Sequence, residues 1–221
     1  MTRTAVYLEI GTKRVFACAQ DWPGWCRLGK TEQQALETLA AYLPRYAPVA
    51  AEAGLAPPSD AFDVVERLDG KPAYTDFGVP SMVAAADARP VPAEQAERLA
   101  ALMEAAWTVF DRVVAASPAE LRKGPRGGGR DRDPMVEHVL GAEVGYGRRL
   151  GLKLRQPALG DAAAITAVRA ALATAVGRPS DGGPPVPKGW PIRYAVRRIA
   201  WHVLDHAWEM EDHVQPATVK R

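Results

Sequence analysis

The chain has 221 residues, 48% of them hydrophobic, enough for one large domain or two small ones with real cores. Charged residues make up 24% and nearly cancel, to a formal net charge of +2, so bulk charge gives no case for nucleic-acid or anionic-membrane binding. No apolar run approaches the roughly 18–20 residues of a membrane-spanning helix, the opening MTRTAVYLEIG has no signal-peptide core, and two cysteines cannot build a disulfide scaffold. A soluble, cytoplasmic protein is the expectation.

The first block is β-like. Ala5 to Ile10 reads as a strand, Gly11 as a turn, and Arg14 to Ala19 as a second strand. Trp22-Pro23-Gly24 breaks that run, and Trp25 to Leu28 predicts a short third strand. Thr31 stands where a helix N-cap belongs, with Gln34 three residues on in a capping-box pattern. Behind it Ala35, Leu36, Leu39, Leu43 and Tyr46 recur at helical spacing. After Pro57-Pro58 a further strand is expected from Phe62 to Leu68, and residues 71–92 read as a linker.

From residue 93 the pattern is helical. Leu99, Met103, Ala106, Phe110 and Val113 form the apolar stripe of a first long helix. A glycine-rich, charged loop spans 122–132. Asp133-Pro134 then suits the start of a second helix, with Asp as cap and Pro in the first turn. Ala162 to Val176 predicts a third helix with Ile165, Val168 and Leu172 on its apolar side. The Pro- and Gly-rich stretch 177–189 is a loop, and a fourth helix should run from Trp190-Pro191 to about His213. Four helices joined by loops make a bundle the natural packing solution.

The chain has only four histidines, His138, His202, His206 and His213, all within predicted bundle helices. His202 and His206 are at i and i+4, so both imidazoles share one helix face a turn apart. Arg198 precedes them, and Glu209 and His213 continue the stripe. Such a pair is a ready metal clamp, yet many pairs of this kind are surface accidents. His138, taken in isolation, reads as a core histidine bonded to a neighbouring carbonyl, although Ala142 and Gly145 beside it would leave room over a bound ion. Glu143 is rotated by about 140° from His138 on an ideal helix, which suits a surface or inter-helix role better than a share in an ion.

Two resemblances add to this reading. Met135-Val136-Glu137-His138-Val139-Leu140-Gly141-Ala142-Glu143 and Trp201-His202-Val203-Leu204-Asp205-His206 resemble the second and fourth helices of DinB-like proteins, over about residues 93–213. The resemblance implies that His138, His202 and His206 bind one divalent metal, zinc or nickel, with open positions. It further implies chemistry such as transfer of a low-molecular-weight thiol, or thiol-dependent isomerisation of maleylpyruvate. Three neutral imidazoles leave the ion's charge uncompensated and at least one coordination position free, as in catalytic zinc sites, where a bound water or thiol is acidified. Glu209 is the candidate catalytic residue, read as an acceptor supporting a ligand or as a general base, with a solvated carboxylate near the helix end as an equal alternative. His213 lies too far along the helix for the same ion and suits the helix dipole instead. Trp22-Pro23-Gly24-Trp25, Leu28-Gly29-Lys30-Thr31 and Gln34-Ala35-Leu36 resemble the core of HicB-like modules, over about residues 5–50.

The expected architecture is therefore α+β: a strand-rich HicB-like module (1–60), a segment with an extra strand and linker (61–92), and a DinB-like four-helix bundle (93–215). The expected function is that of a metal-dependent enzyme, a thiol S-transferase or hydrolase acting on a small molecule with a thiol cosubstrate, and a homodimer is the expected partner state. The alternative is a non-catalytic regulatory protein whose HicB-like half recognises a partner; no nucleic acid or membrane is expected. Arg126-Gly127-Gly128-Gly129-Arg130 could bind an anionic group at a helix start, though Asp131 and Asp133 beside it oppose that. Cys18 and Cys26 read as buried rather than reactive, and Trp190, Trp201 and Trp208 as packing between helices.

Overall fold

The structure, a computed structural model, describes residues 3–124 and 129–214. It is an α+β protein. Strands β1 (Thr4–Ile10), β2 (Val15–Ala19), β3 (Cys26–Gly29) and β4 (Phe62–Asp69) form one sheet in the order β3-β2-β1-β4. The first three pair antiparallel, as consecutive short strands joined by tight turns do, while β4 lies parallel to β1. Its parallel return is bridged by α1 (Glu32–Ala41) and α2 (Leu43–Glu52). Thr31 caps α1 by accepting from Gln34 N–H at 3.1 Å, and the Gln34 side chain reaches back to Lys30 N–H at 2.7 Å. The reciprocal bond of the capping box therefore lands one residue early. The second helix of this block begins at Leu43-Pro44, with proline in its first turn.

Every residue of β2 is buried, so both sheet faces are covered. One face, with Val6, Leu8, Val15 and Ala17, shares a continuous core with Trp25, Leu39 and Tyr46 and with the bundle helices. The other face, with Tyr7, Phe16, Cys18 and Cys26, packs on Trp201. Gly24, at φ +92°, lets the β2–β3 turn press onto the last helix; a Cβ there would stand 2.5 Å from Leu204 Cδ1 and 3.2 Å from the Ala200 carbonyl oxygen. Cys18 and Cys26 face each other across β2 and β3 and are joined as a disulfide, a pairing the sequence reading did not give them.

The bundle consists of α3 (Ala93–Ala116), α4 (Arg132–Arg149), α5 (Ala162–Val176) and α6 (Ile192–His213). Contacts run α3 to α6, α6 to α4, α4 to α5 and α5 to α3, closing a four-helix ring. The expected α3 stripe, Leu99 to Val113, is buried throughout. The cap of α4 is Asp131 rather than Asp133, and its carboxylate accepts from Leu121 N–H at 3.0 Å instead of from the helix's own first turn. The helix thus starts two residues early because its cap is tied to the preceding loop. No helix among the described residues is long and apolar enough to cross a membrane.

Segment 71–92 is stitched down rather than loose. Glu9, fully buried on β1, accepts from the Thr75 hydroxyl at 2.5 Å and from Ser81 and Met82 N–H at 2.8 and 2.9 Å. Asp87, in a short 3-10 turn at Ala85–Ala88, forms a buried bidentate pair with Arg197 of α6, 2.6 Å on the Nη2 arm. Trp201 packs on the sheet rather than between helices, meeting Phe16 edge-on, while Trp208 of α6 meets Tyr42 at the junction of α1 and α2.

Candidate metal centre

The α4–α6 seam brings three imidazoles together. The i, i+4 spacing on α6 sets the His202 and His206 ring centroids 4.6 Å apart, and the His138 ring of α4 stands 4.9 and 5.0 Å from them. One nitrogen of each lies within 4.8 Å of the other two, and the closest pair, His138 Nε2 and His202 Nε2, is 3.1 Å apart. Two imidazole nitrogens bonded at about 2.0–2.1 Å to a tetrahedral ion would stand about 3.3 Å apart, so this pair is already at ligand spacing. His206 Nδ1 lies 2.8 Å from Glu209 Oε2. That contact fixes the tautomer with the proton on Nδ1 and leaves Nε2 free to ligate.

His202 and His206 are buried, at 8% and 9% exposure, and His138 is half-buried. Burial, followed by the neighbouring His206 and His138, pushes His202 down to about 2. Burial and then His206 also lower His138. Withdrawal from water disfavours imidazolium and leaves lone pairs available for a cation. The hydrogen bond with His206 is the main cause holding Glu209 below the ordinary carboxylate value.

The surroundings complete the site. Tyr146, two turns beyond His138, meets His202 edge-on at 5.7 Å and 89°. A Cβ at Gly145 would touch nothing within 4 Å, so the surface of α4 is open about two turns beyond His138. Sequence reasoning passed over Tyr146, though its i+8 spacing from His138 puts it near the same helix face. Arg198, one turn before His202, lies with its guanidinium carbon 5.7 Å from the Tyr146 ring centroid and 4.7 Å from that of Trp201.

Of the predicted site residues, His138, His202, His206 and Glu209 come together. Glu209 is engaged with His206. His213 is not in the cluster. Glu143 is not at the surface: it is 1% exposed, between helices, with its Oε1 3.5 Å from Arg169 Nε. Of the glycine-rich anion candidate, residues 126–128 lie outside the described residues, and Arg130 is exposed. No family model, no curated protein and no solved structure matches the chain.

Proposed function

We propose that this chain is a metal-dependent enzyme acting on a small molecule, with His138, His202 and His206 as the protein ligands of one divalent ion. The observation that carries the reading is the convergence of three imidazoles from two helices on one point, one of them oriented from behind by a carboxylate. A donor set of three neutral nitrogens suits zinc or nickel and is a poor match to calcium or magnesium, which prefer oxygen. When bound, the ion would supply Lewis acidity with at least one coordination position left for substrate.

The chain's own residues supply the rest. Glu209 holds His206 in the ligating tautomer, and the buried face of α6 excludes bulk water from His202. Tyr146 forms one wall beside His202. Within this class, transfer of a low-molecular-weight thiol to an electrophile, or hydrolysis, follows from the resemblance of residues 93–213 to DinB-like proteins. The strand module, similar to HicB-like domains, serves as a scaffold that buttresses α6.

The test begins with metal analysis of the purified full chain. About one equivalent of zinc, nickel or a similar ion is expected, and His206→Ala should weaken metal uptake and abolish the thermal stabilisation that the ion confers. No stoichiometric metal, together with unchanged uptake and thermal stability in His206→Ala, would sink the proposal. A metal-loaded protein would then be screened with glutathione, mycothiol and bacillithiol against electrophiles. Thiol turnover supports transfer, and its absence turns the reading to hydrolysis.

A further inference from the structure

The arginines of α6 are not alike. Arg197 is locked to Asp87, and Arg193 donates to the Pro90 carbonyl oxygen at 3.1 Å. Other arginines packed against this helix also have partners: Arg27 meets Asp205 at 2.9 Å, and Arg45 meets Glu211 and Asp212. Arg198 has no carboxylate or carbonyl partner among the described residues, and its Nη1 is shut off from solvent without a hydrogen bond. Arg198 as a whole is half-buried, but a guanidinium nitrogen withdrawn from water normally has an acceptor, because its desolvation otherwise goes uncompensated. Here it is held only by the faces of Trp201 and Tyr146.

Its position gives the orphaned cation a use. Arg198 and His202 are one turn apart on one face of α6, a rise of about 6 Å along the axis. Tyr146 spans the same interval from the α4 side, in contact with both. On the other flank of Arg198, the cavity shared with Tyr7, Cys18, Tyr194 and Trp201 is only ≈ 20 Å³, about the room for one water. That cavity is too small for a ligand larger than water. The guanidinium also places a positive charge beside a cluster built to hold a cation, an arrangement that an anion bridging the two would neutralise.

We infer that Arg198 is the specificity-determining residue of this site and grips the carboxylate of a short acid whose other end lies at the three histidines. The guanidinium fork matches a planar carboxylate, and one helical turn limits the spacer to a few bonds. This rests on the proposed metal centre for the ligand's other end, while the carboxylate contact is a claim about Arg198 itself.

The experiment uses the full chain loaded with cobalt(II), whose visible bands report ligand binding. It is titrated with 3-mercaptopropionate and with its neutral counterpart 3-mercaptopropionamide. The acid should bind about 10–100-fold more tightly, the range expected for a hydrogen bond to a charged group. Arg198→Ala and Arg198→Gln should remove that preference while binding the same amount of cobalt. Equal affinities in the wild-type protein would mean that Arg198 is satisfied by water alone and would overturn the assignment, as would a preference that survives in both variants. If the chain takes up no cobalt, the metal reading has failed, and calorimetry of the two compounds with the metal-free protein decides the Arg198 claim on the same criteria.

Discussion

At the scale of single residues, the contact with most leverage is between Glu209 and His206. A neutral imidazole can place its proton on either nitrogen, and a ligand whose free nitrogen faces away contributes nothing. Glu209 Oε2, 2.8 Å from Nδ1, selects the useful form. Glu209→Gln keeps the shape but loses the charge, and its amide has two orientations, only one of which accepts from Nδ1. Zinc competition with a chromophoric chelator should show affinity lowered about 10–100-fold, with far-UV circular dichroism unchanged. Unaltered zinc affinity would remove Glu209 from the site. The i, i+4 pair and Glu209 could be read from the sequence because they lie on one helix, where spacing alone sets direction. His138 could be placed there only by resemblance, since nothing local to α4 says which helix it will face. The orphaned state of Arg198 was not legible at all, because it depends on where every acid in the chain ends up.

At the scale of elements, the periodicity of Leu99 to Val113 and of Ile165 to Leu172 defined helices whose buried sides the structure confirms. Glu143 shows what periodicity misses. It sits on α4 among Val139, Leu140 and Val144, and it is sealed where α4 meets α3 and α5, with Arg169 and Trp107 alongside. Neither carboxylate oxygen has a hydrogen bond of good geometry. Burial raises its pKa from 4.5 to about 7, with Arg169 opposing the rise. The folded chain therefore holds this proton more tightly than the unfolded chain does. Its contribution to stability is fully present below pH 4.5 and is lost as the pH rises through about 7. Urea denaturation at several pH values should show wild-type stability falling across that window relative to Glu143→Gln, by on the order of 3 kcal/mol. Parallel profiles for the two proteins would show that the buried carboxylate does not titrate there.

At the scale of the whole molecule, the sheet and the bundle are held together partly by the segment that composition marks as a linker. Proline, glycine and alanine in 71–92 carry no periodic signal, so nothing in the sequence shows that Glu9 fastens one part of it to β1 and Arg197 another part to α6. Asp87 is fully buried, accepts from Ala84 N–H at 2.7 Å and takes both arms of Arg197, which in turn lies over Tyr7 of the sheet at 4.8 Å. A single buried pair thus touches linker, bundle and sheet. Such a pair adds little compared with well-packed apolar residues, but removing one member strands the other charge in a dry interior. Asp87→Ala should therefore cost about 3–5 kcal/mol in urea denaturation of the metal-free protein. Asp87→Ala combined with Arg197→Met should recover much of that loss, because the stranded guanidinium goes with its partner. A loss under about 1 kcal/mol for Asp87→Ala would mean that water reaches Arg197 and the segment is not a clamp. A double variant as unstable as the single one would place the cost in packing around Asp87 rather than in the unpaired charge.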